Sequence, residues 1–179
     1  SMYIARLISS FGAISVAVQK VGSQIESISW MAADGFSASI NAFTSQNYGA
    51  KNYNRVHKGY KTGILVVSLW GLFTTCILIF LPGPIFSCFI HETTILPYGI
   101  DYLVILGYSQ LFMCIEIATQ GAFNGLGKTF PPSIVSIVFT SARIPMAVIL
   151  SQFLGVNGVW WAISISSIIK GIVLVTWFI

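Results

Sequence analysis

Long apolar runs separated by short polar segments form the main pattern of the chain. A helix that crosses a bilayer needs about 20 mostly apolar residues. On that scale the sequence predicts a helix stub at residues 2–10, followed by five spans at 16–45, 58–81, 99–123, 131–153 and 159–179. Pro and Gly residues mark boundaries at 82–84 and 155–158. The predicted fold class is an all-α membrane protein in which residues 1–179 form one transmembrane domain.

Composition supports the bilayer as the solvent of this protein. Apolar residues make up 55% of the 179-residue chain, charged residues only 8%, and the mean hydropathy is +0.83. A soluble domain is about one quarter charged. We therefore expect a multi-pass protein of the cell inner (plasma) membrane, with lipid as its surroundings.

The basic residues are concentrated in the segment 46–61, which contains Lys51, Arg55, His57, Lys58 and Lys61. A nucleic-acid patch is the rival interpretation, but apolar runs flank the segment on both sides and favour a membrane loop without a nucleic-acid partner. The positive-inside rule places this loop in the cytoplasm. The segments 82–98 and 154–158 lack Lys and Arg and would face outward, while 124–130 carries Lys128 and returns to the cytoplasm. A short interfacial helix is expected at 85–90.

Polar residues in the span 16–45 fall on one side. At about 100° per residue on an ideal helix, seven of them share an arc of about 100°, which we name the polar stripe: Gln19, Ser23, Glu26, Ser27, Asp34, Ser37 and Asn41. An ionisable group at membrane depth costs about 2.5–3.5 kcal/mol, so it faces a bundle interior or a water-filled cavity. Hydrogen bonding between helices without transport is the alternative. Two carboxylates on one stripe favour a cavity.

The span 99–123 carries Glu116, with Gln120 on the same side. Apolar neighbours disfavour the charged form of a carboxyl group, and proton coupling requires a carboxyl that exchanges a proton. We therefore expect Glu116 to be protonated during transport. The alternative is a structural acid paired with Arg143, which is expected to form an ion pair with Glu116 or Glu26. Lys170 is expected to extend toward the cytoplasm and is assigned no role.

The sequence lacks residue patterns typical of enzymes and of metal sites. Cys76, Cys88 and Cys114 are isolated and show no metal-ligand or disulfide spacing. The sequence contains no nucleophile constellation, P-loop or dinucleotide fingerprint. We therefore expect no enzymatic activity, no metal site and no cofactor. Ser1 before Met2 and the apolar end at 175–179 suggest a fragment at both ends.

Several motifs follow one another in an order that resembles the multidrug and toxic compound extrusion (MATE) family. QKV at 19–21, IESIS at 25–29, GFS at 35–37 and QNYGAKNY at 46–53 resemble its eighth helix and the following loop. GAFNGLGKT at 121–129 resembles the end of its tenth helix. RIP at 143–145 and GVNGVW at 155–160 resemble its eleventh and twelfth helices.

This resemblance implies the C-terminal lobe of a parent about twice as long, with twelve helices in two lobes that rock against each other. The family exports cationic, often aromatic compounds in exchange for inward H⁺ or Na⁺. The N-terminal lobe of the same chain and small organic cations or drugs are thus the expected partners. Where the family has an acid in its tenth helix this chain has Met113, and Glu116 lies one turn later. The candidate substrate- and cation-binding residues are Glu26, Asp34, Glu116, Gln19, Ser37, Asn41 and Gln120.

Three functions are compatible with these features of the sequence. The leading hypothesis is a secondary-active multidrug efflux antiporter driven by H⁺ or Na⁺. A lipid-linked oligosaccharide flippase of the same superfamily would require a more basic cavity, whereas only Arg143 and Lys170 lie inside the C-terminal spans. In a non-transporting membrane subunit, the polar stripe would have no contact with water.

Overall fold

The protein consists of α-helices in the part that the structure, a computed structural model, describes, namely residues 2–89 and 94–178. Within these ranges the helices are α1 (Met2–Ser9), α2 (Ala13–Gly49), α3 (Tyr53–Phe80), α4 (Pro82–Phe89), α5 (Leu96–Gly125), α6 (Phe130–Leu154) and α7 (Val156–Phe178). The all-α fold class is confirmed. The five long helices overlap the five predicted spans, and the largest difference is at the start of α3, which begins at Tyr53 instead of residue 58.

The basic loop predicted at 46–61 is largely helical, which corrects that prediction. α2 continues to Gly49 and α3 begins at Tyr53, so the connection comprises only residues 50–52. Lys51 makes the turn with φ +58°. The first turns of α3 form because Val56 and Tyr60 are buried against the bundle, and because Lys and Arg are good helix formers. The other basic residues of the segment therefore lie on a helix.

Short connections link the remaining helices. Gly12, with φ +109°, separates α1 from α2, and Gly155, with φ +61°, separates α6 from α7. Both values lie in the left-handed region that favours glycine. The interfacial helix expected at 85–90 is α4, which begins earlier, at Pro82. Residues 90–93 lie outside the described residues.

α5 lies at the centre of the bundle, between α2, α3 and α7. Along α2 and α5 the contacts advance together, from Gly22 against Tyr102 to Asn41 against Gly125. α7 follows the same direction, because the Ser164 hydroxyl donates to the carbonyl oxygen of Ile105 over 3.0 Å and Gly171 lies against Phe112. α2 and α7 are therefore both parallel to α5, against which each of them packs.

Apolar side chains cover the outside of α3 and α6. The exposed residues of α3 beyond Ile64 are Leu65, Val66, Leu69, Leu72, Phe73, Cys76 and Phe80. Among the described residues, α3, α5, α6 and α7 are long and apolar enough to cross a membrane. α2 is longer than any of these helices, but it is less apolar, because polar residues recur along it.

Candidate functional site

The polar stripe lies at the edge of the interface between α2 and α5. Glu26 is buried, with 4% of its surface exposed. The Ser37 hydroxyl donates to the carbonyl oxygen of Ile117 on α5 over 2.9 Å. Gln19 and Asn41 are half-buried, whereas Asp34 is exposed. One side of the polar stripe is thus used for helix packing, and the other faces out of this lobe.

Glu26 lies in the packed part of α2, one turn after Gly22, whose missing side chain leaves room for the Tyr102 ring. Its Oε1 atom is buried and has no hydrogen-bond partner in the described part of the chain. Within those residues no ion pair involves Glu26. An isolated carboxylate without compensation is strongly unfavourable in such surroundings, so this group is stable as the neutral acid or with an added cation.

Glu116 forms an ion pair, but with a different partner from the one predicted. The Lys170 Nζ donates to Glu116 Oε1 over 2.9 Å. The Lys170 and Glu116 side chains are 12% and 9% exposed, respectively. The expectation that Lys170 extends toward the cytoplasm is therefore wrong, since α7 runs parallel to α5 and places Lys170 beside Glu116.

Arg143 does not form the predicted ion pair with Glu116 or Glu26. Its Nε donates to Ser166 Oγ over 2.7 Å and its Nη2 to Ser167 Oγ over 3.3 Å. The reason is topological: α6 packs mainly against α7 and has little contact with α5, so Arg143 bonds to hydroxyl groups of α7 and not to the Glu116 carboxylate. Ser166 and Ser167 lie four and three residues before Lys170, so these polar groups share one face of α7. That spacing is the sequence signal from which Lys170 could have been predicted to face the inside of the bundle.

The buried acids Glu26 and Glu116 lie at two levels of the bundle. Glu26 follows the contact between Gly22 and Tyr102, whereas Glu116 adjoins Ile117, which accepts the hydrogen bond from Ser37. Along the parallel helices Glu26 therefore lies nearer the start of α2 and α5 than Glu116 does. Glu26 and Glu116 therefore belong to two sites. The predicted residue Gln120 is exposed, as Asp34 is.

The exposed side of α2 differs from that of the outer helices. We name as the open face of α2 its exposed residues between Lys20 and Ala42, which are Lys20, Gln24, Ile28, Met31, Asp34, Gly35, Ala38, Ser39 and Ala42. Only Ile28 and Met31 among them are large and apolar. The comparable exposed positions of α6 are Ile137, Val138, Ser141, Ala142, Pro145, Val148 and Ile149. α6 thus suits lipid, whereas the open face suits water or another polar surface.

These features define a multi-pass helical membrane protein with polar groups inside the bundle and along one helix face. The chain belongs to the MatE family, whose model matches residues 1–149. The resemblance found in the sequence motifs is thereby confirmed.

Curated relatives are similar over most of this chain. One is 27% identical over 162 residues, covering 89% of this chain and 35% of the relative, and is described as "Probable multidrug resistance protein NorM" of Thermotoga maritima. A second, from Mesorhizobium japonicum, has the same description and is 24% identical, covering 97% of this chain and 39% of the relative. The chain thus spans well under half the length of these relatives. Their descriptions do not favour the flippase alternative.

Solved structures show the same fold. A mutant of the Vibrio cholerae MATE transporter VcmN superposes with a TM-score of 0.91 at 22% identity, covering 98% of this chain and 40% of that structure. An inward-facing multidrug resistance MATE family transporter of the MOP superfamily gives a TM-score of 0.88 at 21% identity, with coverage of 98% and 41%. The helices described above are therefore arranged as in one part of a MATE transporter.

Proposed function

We propose that this chain forms the C-terminal lobe of a secondary-active antiporter in the cell inner (plasma) membrane. The transporter exports organic cations or drugs in exchange for inward H⁺ or Na⁺. Family membership and two relatives described as multidrug resistance proteins support this proposal. Membership of this family also supports transport, and not catalysis, as the activity.

The open face of α2 is the observation that carries this proposal. A charged residue in contact with lipid at membrane depth is costly, yet Asp34 lies exposed near the middle of α2. Small residues surround it, with Gly35 and Ala38 on the same side. Such a surface is suited to a water-filled passage between this lobe and the N-terminal lobe of a longer chain.

Asp34 and Met31 supply two complementary contacts for a cationic aromatic compound. They are three residues apart, so they are neighbours on one helix face, and Met31 is 74% exposed. The Asp34 carboxylate attracts the positive charge of the compound. The Met31 thioether is polarisable and adapts to aromatic rings of different shape. A surface of this kind favours a broad range of organic cations.

Glu26 is the residue that we assign to proton coupling, in place of Glu116. It is buried on α2 with an unsatisfied oxygen in the described structure, so it is stable inside the lobe when neutral. Rocking of the two lobes exposes a site alternately to each side of the membrane. When the lobes open the site to water, Glu26 can release its proton. When the lobes close the site again, Glu26 must take up a proton, because its carboxylate would be buried without a partner.

The experiment is drug efflux by the complete transporter that contains this chain, measured in everted vesicles with ethidium and an imposed pH or Na⁺ gradient. We expect Glu26→Gln to abolish gradient-driven transport while the protein remains folded in the membrane. The matched control is Asp101→Asn, because Asp101 is an exposed acid near the start of α5. Full coupled efflux by Glu26→Gln would contradict the assignment.

Asp34→Asn gives a second result in the same assay. Because Asp34 is proposed to attract the substrate charge, we expect the KM for ethidium to rise at least tenfold, which corresponds to about 1.4 kcal/mol of binding free energy. Transport of a neutral substrate should change less. An unchanged KM for ethidium would exclude Asp34 from the substrate path.

A further inference from the structure

The Glu116 carboxylate already has a cation beside it. Lys170 Nζ lies 2.9 Å from Glu116 Oε1, and both side chains are largely enclosed. Close packing holds the two helices together at this level, since a Cβ on Gly171, the residue after Lys170, would lie 2.6 Å from the Phe112 carbonyl oxygen. The α5–α7 interface therefore fixes the position of the Lys170 ammonium group, which is not on a flexible side chain at the protein surface.

A second cation lies on the same side of α7. Arg143 donates to the hydroxyl oxygens of Ser166 and Ser167, which precede Lys170 by about one helical turn. The cluster of Glu116, Arg143 and Lys170 thus contains two positive groups and one negative group. Another cation entering this cluster would meet net positive charge, which is repulsive in the poorly screened interior of a protein.

Three oxygen atoms at this cluster already accept a hydrogen bond. A hard cation such as Na⁺ is held by carboxylate, carbonyl and hydroxyl oxygens. Glu116 Oε1 accepts from Lys170, and the hydroxyls of Ser166 and Ser167 accept from Arg143. Met113, one turn before Glu116, offers a thioether, which is a soft ligand. The residues present therefore do not fit a Na⁺ site.

We infer that the Lys170 ammonium group is the resident cation of Glu116 and excludes Na⁺ from this carboxylate. Lys170 is thus a specificity-determining residue of the lobe: it replaces a diffusible coupling cation by one that is covalently attached. The inference rests on the proposed function for its role in coupling, whereas the ion selectivity of Glu116 can be measured without transport.

The experiment measures the thermal unfolding of the complete purified transporter in NaCl and in KCl at equal ionic strength. A ligand that binds only the folded state raises its stability with concentration. The difference in Tm between the two salts therefore reports Na⁺ binding at all sites of the transporter. The neutral double variant Glu116→Gln with Lys170→Met removes both charges and measures the contribution of sites other than Glu116.

We expect the wild type and the double variant to show the same Na⁺-dependent Tm difference, because Na⁺ does not bind Glu116 in either. Lys170→Met alone should show an additional Na⁺-dependent rise in Tm, since the Glu116 carboxylate then lacks the lysine and can bind Na⁺. Lys170→Arg should behave as the wild type, because it keeps a cation in place.

Two outcomes would overturn the inference. One is a Na⁺-dependent Tm rise in the wild type that the double variant loses, which would show Na⁺ binding at Glu116 beside the lysine. The other is a folded Lys170→Met variant without the additional rise. If Lys170→Met does not fold, the comparison of wild type and double variant still decides. Efflux is not part of this readout, so a failure of the proposed antiport would be seen separately, in vesicles.

Discussion

The important feature at the residue scale is the difference in surroundings between two buried acids, Glu26 and Glu116. Glu116 is held by Lys170 at 2.9 Å, whereas Glu26 has a buried Oε1 atom without a hydrogen-bond partner in the described ranges. A fixed cation compensates the buried charge of a carboxylate. A carboxyl group without one can take part in proton exchange. This difference supports the proposal that Glu116 has a structural role and Glu26 a role in coupling.

Removing one member of the ion pair should destabilise the protein. Breaking a buried pair leaves an uncompensated charge, at a cost of about 3–5 kcal/mol. We therefore expect Lys170→Met and Glu116→Gln each to lower the denaturation midpoint in detergent, and the double variant to recover most of the loss. Asp101→Asn, at an exposed acid, should have little effect. Additive losses in the double variant would show that the two side chains are not coupled.

The sequence identified the acids but not their partners. Glu26 and Glu116 were recognised because a carboxylate inside an apolar run is costly wherever it lies. The choice between Arg143 and Lys170 depends on which helices are neighbours, and no single-helix pattern contains that information. Asp34 was placed with Glu26 on the polar stripe, yet α5 covers one and leaves the other exposed.

The contact between α2 and α5 is the decisive one at the scale of helices. The two helices approach closely where Gly121 faces Ser37, because a Cβ on Gly121 would overlap the Ser37 carbonyl oxygen. Small residues allow such close packing of membrane helices. This contact fixes the level of Glu26 and orients the open face away from α5.

A pair of glycine substitutions tests this packing. Gly121→Ala should destabilise the protein by about 1–3 kcal/mol through overpacking, measured as a lower unfolding temperature in detergent. The matched control is Gly35→Ala, because a Cβ on Gly35 would meet nothing within 4 Å, and alanine favours the helix by about 1 kcal/mol. Equal effects of the two substitutions would contradict the close contact of α2 with α5.

Helix positions were predictable to a large extent, and their packing was not. Apolar length and Gly or Pro boundaries located the five long helices, since bilayer thickness fixes the length of a span. The basic segment was predicted to be a loop because its charges suggested water. In the structure Val56 and Tyr60 are buried and keep its second half helical.

At the scale of the whole molecule, the lobe has two kinds of surface. α3 and α6 present apolar residues that match lipid, and the open face of α2 presents Asp34 among small and polar residues. An exposed polar surface at membrane depth requires water or a polar partner. The arrangement is that expected of a lobe that borders a passage on one side and lipid on the others.

Thiol labelling of the complete transporter tests this central claim most directly. Single cysteines would be introduced at Gln24 and Asp34 on the open face and, as matched controls, at Ile137 and Ile149 on α6. The background would lack the native Cys76, Cys88 and Cys114, of which the first two are exposed. The reagent is a water-soluble maleimide, which reacts with a thiol that water can reach.

We expect rapid labelling of Gln24→Cys and Asp34→Cys, and slow labelling of Ile137→Cys and Ile149→Cys, because the open face of α2 is proposed to meet water whereas this side of α6 is proposed to meet lipid. Labelling of the α2 positions that is as slow as that of the α6 positions would contradict it, since Asp34 would then lie in a dry environment where no substrate passage exists.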